Sequence, residues 1–256
     1  MKSIFAVFAL SVAGSVSGLL AQTPAPASPS ATAAPAAPTP APAAPAAPKL
    51  LIFHAPTDVS GDVMPIRVGG GSRGGSDDGM SVEVLVPDQV ALTTQEQPSL
   101  YWYQNKAAKT TCEVTLTEPK NPKPLLSLKA PAATPAGIHA IRLTKFNVKL
   151  KPGVLYRWSV AVVVDPQNRS QDIIANGVIK RIAPSSDLQS QLAAAADADK
   201  PALFAQNGIW YDALQSISDQ IDRAPQDASL KSERDELLKQ VGLDGAKMDA
   251  DASKAP

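Results

Sequence analysis

Two apolar runs flanking a polar hexapeptide most limit what this chain can fold into. In the first run Tyr156, Trp158, Val160, Val162 and Val164 fall at every second position, with Arg157 and Ser159 between them. A strand sends alternate side chains to opposite faces, so this register builds one apolar face and one wetter face. The hexapeptide Asp165-Pro-Gln-Asn-Arg-Ser170 follows. Its Pro presets φ and its Asn tolerates left-handed backbone, which is turn chemistry. A second run then continues to Ile182. A two-stranded ribbon cannot cover its own apolar face, so a second layer must come from elsewhere in the chain.

Short segments upstream supply it. The spacing predicts strands at Ser81–Val86, Ser99–Gln104, Thr111–Thr117, Leu125–Lys129 and Gly137–Leu143, then the long pair at Val154–Val164 and Asp172–Ile182. Each is bounded by Pro, Gly, Asn or Asp, and many short strands with frequent turns point to an Ig/fibronectin-like antiparallel β-sandwich. Cys112, Val114 and Leu116 share one face, and Leu100-Tyr-Trp-Tyr103 carries bulk on both faces, as a central strand covered by helices would. Asn176-Gly177 inside the last strand suggests a bulge or tight turn. The single cysteine cannot form an internal disulfide and reads as a small buried apolar residue.

After Pro184 the period changes to that of helices, giving a mainly β chain with an α-helical C-terminal part. Ser186-Asp-Leu carries capping chemistry, and Leu188 and Leu192 lie one turn apart. Asp199-Lys-Pro201 begins a second helix that stops at Asn207-Gly208; Trp210, Leu214, Ile217 and Ile221 form the stripe of a third, ending near Pro225; a fourth runs from about Ser229 to Val241. Gly208, Ala213 and Pro225 are spaced like the second half of a tetratricopeptide repeat, a TPR-like hairpin. One such pair needs outside support.

The N-terminus reads differently. Lys2, an apolar run and small residues up to Ala21 describe a secretory signal peptide over residues 1–21. The run falls short of the roughly 20 strongly apolar residues of a span, so no transmembrane segment is expected once it is cleaved. Residues 22–48 are almost wholly Pro, Ala, Thr and Ser, a disordered tether of extended polyproline character. Residues 49–79 are expected to be a flexible Gly-rich lead-in with an edge strand at Leu50–Phe53 and one contact-capable cation, Arg73. The organisation is thus leader 1–21, tether 22–48, lead-in 49–79, sandwich 80–183, helical region 184–243 and disordered tail 244–256.

Chemistry is sparse. The 24 basic and 24 acidic residues cancel, leaving no global footprint for nucleic acid. The only histidines are His54 and His139, with no nucleophile motif or metal-ligand spacing around them, so no catalytic, metal or cofactor residue is assigned. Asp165 and Arg169 are placed to pair across their turn; a carboxylate pair such as Asp165 with Asp172 is what a glycan hydrolase would use. Between Lys106 and Lys151 basic residues far outnumber acids, which suits a solvated strand edge or a basic face for an anionic envelope polymer.

Several stretches in one order resemble the bacterial envelope family catalogued as domain of unknown function 928: Val68-Gly-Gly-Gly-Ser-Arg-Gly74, Leu85-Val-Pro87, Leu92 to Tyr103, Tyr156-Arg-Trp-Ser159, the 165–170 turn, Gly177 to Ile182, Asn207 to Ala213 and Val241-Gly-Leu243. The resemblance implies an exported protein with a β-rich body and a helical end, and brings no activity with it. A non-enzymatic interaction module of the periplasm or cell surface is therefore expected, its partner an envelope protein or polymer. The candidate contacts are Arg73, Arg157, Asp165, Arg169, Trp210 and Tyr211. The alternatives are a periplasmic scaffold subunit using an exposed patch at Trp210 and Tyr211, and a carboxylate-dependent hydrolase.

Overall fold

The computed structural model describes residues 49–57, 67–68, 70–71, 79–108, 110–130 and 134–244. The leader, the Pro/Ala segment, Arg73 and the tail after Asp244 lie outside the described residues. Within them the strands are β1 Gly70–Gly71, β2 Ser81–Val84, β3 Ala91–Thr93, β4 Ser99–Gln104, β5 Cys112–Thr117, β6 Leu126–Ala130, β7 Gly137–Arg142, β8 Leu155–Val162 and β9 Ile173–Arg181. They form two mostly antiparallel sheets, β1-β2-β4-β7 and β3-β9-β8-β5-β6.

The alternation in β8 sets the core. Tyr156, Trp158, Val160 and Val162 are all buried and join Cys112, Val114 and Leu116 of β5 and Leu100 and Trp102 of β4 in one cluster. β4 is buried along its whole length, between β2 and β7. The strand ladder passes through Asn176 and Gly177 without a bulge, Ser159 facing Asn176 and Trp158 facing Gly177. Glycine is required there for space: a Cβ would meet Trp158 Nε1 at 3.0 Å, Trp158 Cε2 at 3.2 Å and Val86 Cγ2 at 3.2 Å. The pairing of β3 with β9 is parallel, an exception to the antiparallel expectation.

Four helices follow: α1 Ser186–Ala194, α2 Lys200–Gln206, α3 Trp210–Arg223 and α4 Ala228–Lys239. The cap of α1 is Ser185, one residue earlier than its sequence suggests, its hydroxyl accepting from Leu188 N at 3.2 Å. The helices share the sheet core. Trp210 Nε1 donates to Leu85 O at 2.8 Å; Trp158 Nε1 donates to Tyr211 Oη at 2.8 Å, which donates onward to Val178 O at 3.0 Å. Asp212, in the first turn of α3, is fully buried and accepts from both Thr93 and Thr94 hydroxyls and from Thr94 N. Burial raises the pKa of its carboxyl while those hydrogen bonds pull the other way. Farther along α3, Asp219 and Asp222 hold Arg142 of β7 at 2.7 and 3.1 Å.

Leu50–Phe53 is not an edge strand. Leu51 is buried, Phe53 packs edge-on to Trp210 with ring centroids 4.9 Å apart, Phe53 N and Leu51 O bond to the Gln240 side chain after α4, and the next residue, His54, donates its N–H to Ala205 O of α2. The helical surface, not a sheet edge, offers these residues both apolar contact and hydrogen-bond partners. Gly208, which ends α2 at φ +73°, permits this approach, since a Cβ would stand 2.8 Å from His54 O. Among the described residues no helix is long and apolar enough to cross a membrane.

Candidate functional site: an open seam between the sheets

A strand at a sheet edge carries unpaired N–H and C=O groups unless something covers them. On one side of this two-sheet body, other segments of the chain tie the sheets to each other and to the helices. Val68 bonds both ways with Asn176 of β9, at 3.2 and 2.9 Å, and the chain then enters β1 to pair with β2 of the opposite sheet. β3, at the border of the five-stranded sheet, is tied to α3 through Thr93 and Asp212.

The opposite side is different. There β7 ends one sheet and β6 ends the other, and among the described residues neither has a second partner strand. A bridge from Ala108 N to Thr134 O, at 2.8 Å, links the two sides at one end. Between the edges lies a groove of about 500 Å³. Trp102 and Val114 form its floor, Leu128 and Ala130 one wall, His139 and Ile141 the other, and Phe146 of the turn after β7 its lip. These side chains reach the groove through strand alternation. Leu128 pairs with Val114 and His139 with Trp102, so each pair shares the inward face.

The closed end of the groove is fixed by a buried amide. Gln104 Nε2 donates to Thr134 O at 2.9 Å and to Pro135 O at 2.6 Å. Pro135 O also accepts from His139 Nε2 at 2.8 Å. A carbonyl only accepts, so that nitrogen carries the proton and Nδ1 is the acceptor of the neutral ring. The ring lies over Trp102 with centroids 5.2 Å apart and planes 28° from parallel. Burial lowers the pKa of His139, its hydrogen bond to Pro135 opposing the shift. The indole N–H of Trp102 is buried without an acceptor. A buried donor left without an acceptor costs about 1–3 kcal/mol.

The rim is basic. Lys129 on β6 and Lys145 beside Phe146 are exposed, and the residues lining the groove include no carboxylate. Lys129 makes one ion pair, to Glu113 at 3.3 Å, with its own side chain 76% exposed. The polar side chains in its lining are Lys129, Thr134 and His139.

A family model described as Domain of Unknown Function (DUF928) matches residues 68–251. The chain belongs to that family. No curated protein matches it. Every strand and helix described above lies inside the family match, whereas the strap at 49–54 lies before it.

The residues singled out from the sequence lie elsewhere. Arg157 is exposed on the outer side of β8, its carbonyl accepting from Thr117 Oγ1. Asp165 and Arg169 do not pair with each other. Asp165 accepts from Gln167 N at 2.8 Å and shapes its own turn, while Arg169 reaches Asp172 at 2.7 Å and Glu113 at 2.8 Å, fastening the turn to β5. The Arg169 guanidinium holds the Glu113 carboxyl below its ordinary pKa. Trp210 and Tyr211 are not surface contacts: they are 0% and 1% exposed and hold the helices to the sheets. His54 is exposed on the helical side, its Nδ1 bonded to Gln206 O. Among the described residues no cluster of His, Cys, Asp or Glu is placed to hold a metal.

Proposed function

We propose that this member of the DUF928 family is an exported, non-enzymatic interaction module of the cell envelope that takes a partner segment into the seam between β6 and β7. Export is supported by the leader-like residues 1–21, and the Pro/Ala run at 22–48 has the composition of a spacer that holds a domain off a surface. The observation that carries the binding role is the pair of uncovered edges flanking an apolar groove whose closed end Gln104 holds rigid. Rigid walls lower the ordering cost of association, and an apolar lining with a few fixed polar groups suits recognition. The carboxylates that a hydrolase would need are otherwise engaged: Asp172 with Arg169, Asp165 with its own turn. The burial of Trp210 and Tyr211 removes the surface on which the scaffold alternative depended.

Phe146 and Ile174 form a matched pair for the test, 42% and 41% exposed at the seam and on β9 respectively. A photoreactive benzophenone side chain at position 146 should give a discrete adduct in intact envelope, and the same group at 174 should not. Equal labelling from both positions, or none from 146, sinks the proposal. The N-terminal mass of the recovered chain checks export directly: cleavage near Ala21 is expected, and an intact Met1 in the cytosolic fraction would refute it.

A further inference from the structure

We infer that the segment received by the seam is an acidic, extended polypeptide that adds to β7 as a further strand and seats alternate apolar side chains in the groove; this rests on the reading of the seam as a binding site. Main-chain pairing comes first. The outer edge of β7 presents backbone groups over Gly137–Arg142, and an added strand of similar length would span about 20 Å, at roughly 3.3 Å per residue. In such a strand every second side chain points the same way. Apolar residues at those positions would meet Trp102, His139 and Ile141.

Charge identifies the rest of the partner. Every residue lining the groove except Trp102 comes from the stretch between Lys106 and Lys151, which holds nine lysines and arginines against two glutamates. Both glutamates are already engaged, Glu113 by Arg169 and Glu118 by Lys151. Lys120 and Lys123 are exposed on the turn leading into β6, Lys129 lines the groove, and Lys145 is exposed next in sequence to Phe146 at its lip. A strand lying in the seam would therefore pass exposed ammonium groups, and acidic residues between its apolar ones would meet them.

The same facts disfavour other occupants. A second copy seated in the groove would meet it with the same lysine-rich stretch, and no carboxylate in the lining would balance that charge. The chain's own residues 22–48 carry no charge, and their prolines lack the N–H that a ladder needs. A polyanion without side chains would satisfy the lysines and leave the apolar floor empty.

The test uses the full chain and fluorescein-labelled ten-residue peptides, read by anisotropy. A peptide alternating Glu and Val should bind saturably and weaken as salt is raised. Alternating Lys–Val and Glu–Ser peptides should each bind at least about tenfold more weakly. Methylating alternate backbone nitrogens of the Glu–Val peptide, in whichever register faces β7, should cost on the order of a hundredfold. Lys129→Glu combined with Lys145→Glu should reverse the preference between the acidic and basic peptides. Phe146→Ser should weaken binding of every peptide; these positions are exposed, and an unchanged unfolding midpoint confirms an intact fold. If Lys–Val binds as tightly as Glu–Val, still through Phe146, the seam takes polypeptide but the acidic partner is wrong. Polyphosphate binding more tightly than any peptide, in a manner dependent on Lys129 and Lys145, overturns the polypeptide in favour of an anionic polymer. Absence of Phe146-dependent binding to any probe removes both this inference and the function beneath it.

Discussion

The two long sides of the sheet pair are built from similar strands and end differently. On the β3 and β1 side, Val68 to Gly71 crosses from one sheet to the other and the first turn of α3 brings Trp210, Tyr211 and Asp212 into the core. On the β6 and β7 side, similar short strands stop facing each other over an apolar groove. Apolar surface is costly to leave in water and an unpaired edge invites another strand, so the tied side shows what covering them takes: a crossing strand and a helix. Among the described residues the open side shows neither. Substitutions on the tied side should therefore cost stability, and those on the open side should cost binding.

The largest effect belongs to Trp210→Ala. It empties a fully buried site, removes the bond to Leu85 O and the edge contact with Phe53, and should cost about 3–5 kcal/mol by chemical denaturation. A loss below 1 kcal/mol would show that the helices are not integral to the core. Gly177→Ala comes next. The added Cβ meets the Trp158 ring at 3.0 Å, and two packed strands leave the ring little room to yield, so about 1–3 kcal/mol is expected. Tyr211→Phe keeps the volume and leaves the Trp158 N–H without its acceptor, for about 1–3 kcal/mol. Phe146→Ser, at the seam, should move the unfolding free energy by no more than about 0.5 kcal/mol while weakening the binding of the Glu–Val peptide. A large stability loss there would mean that the groove is ordinary core.

Much of the body can be read from the chain because its signals are local. Alternation in β8 puts Trp158 inside, the stripe in α3 puts Leu214 and Ile217 inside, and the bulk on both faces of Leu100–Tyr103 marks a central strand. The failures have a common cause. Ala91–Thr93 is too short to announce a strand, and its parallel partner lies some ninety residues away. The small side chain at 177 serves a ring on the neighbouring strand, so in sequence it resembles a bulge. Trp210 and Tyr211 sit where a helix begins, and only the tertiary contact with Leu85, Trp158 and Val178 shows that they point inward. The Arg169 bridge to Glu113 joins residues 56 positions apart, so the nearer Asp165 looked the better partner. The seam was the least legible feature. It is an absence of pairing between two strands that are each unremarkable, and nothing in Gly137–Arg142 says that its outer edge stays free. The sequence did hold a trace of it in the lysine excess between Lys106 and Lys151.

The smallest expected effect is the one that reports on the groove wall itself. His139 is half-buried, and burial lowers its pKa relative to the unfolded chain. Between the two values the unfolded state binds more proton than the folded one, so stability rises with pH across that window. It is fully present above the ordinary histidine value, near 6.5, is lost as pH falls below it, and levels off under the depressed folded value. Partial exposure screens the charge, leaving a change on the order of a few tenths of a kcal/mol. Denaturation curves at pH 8 and pH 5 should show this loss in the wild type and less of it in His139→Gln, whose amide can still donate to Pro135 O. A ring that titrates at or above the ordinary value, followed through its proton resonances, would mean that water already fills the space over Trp102. The seam would then be a wet cleft with no apolar floor to offer a strand.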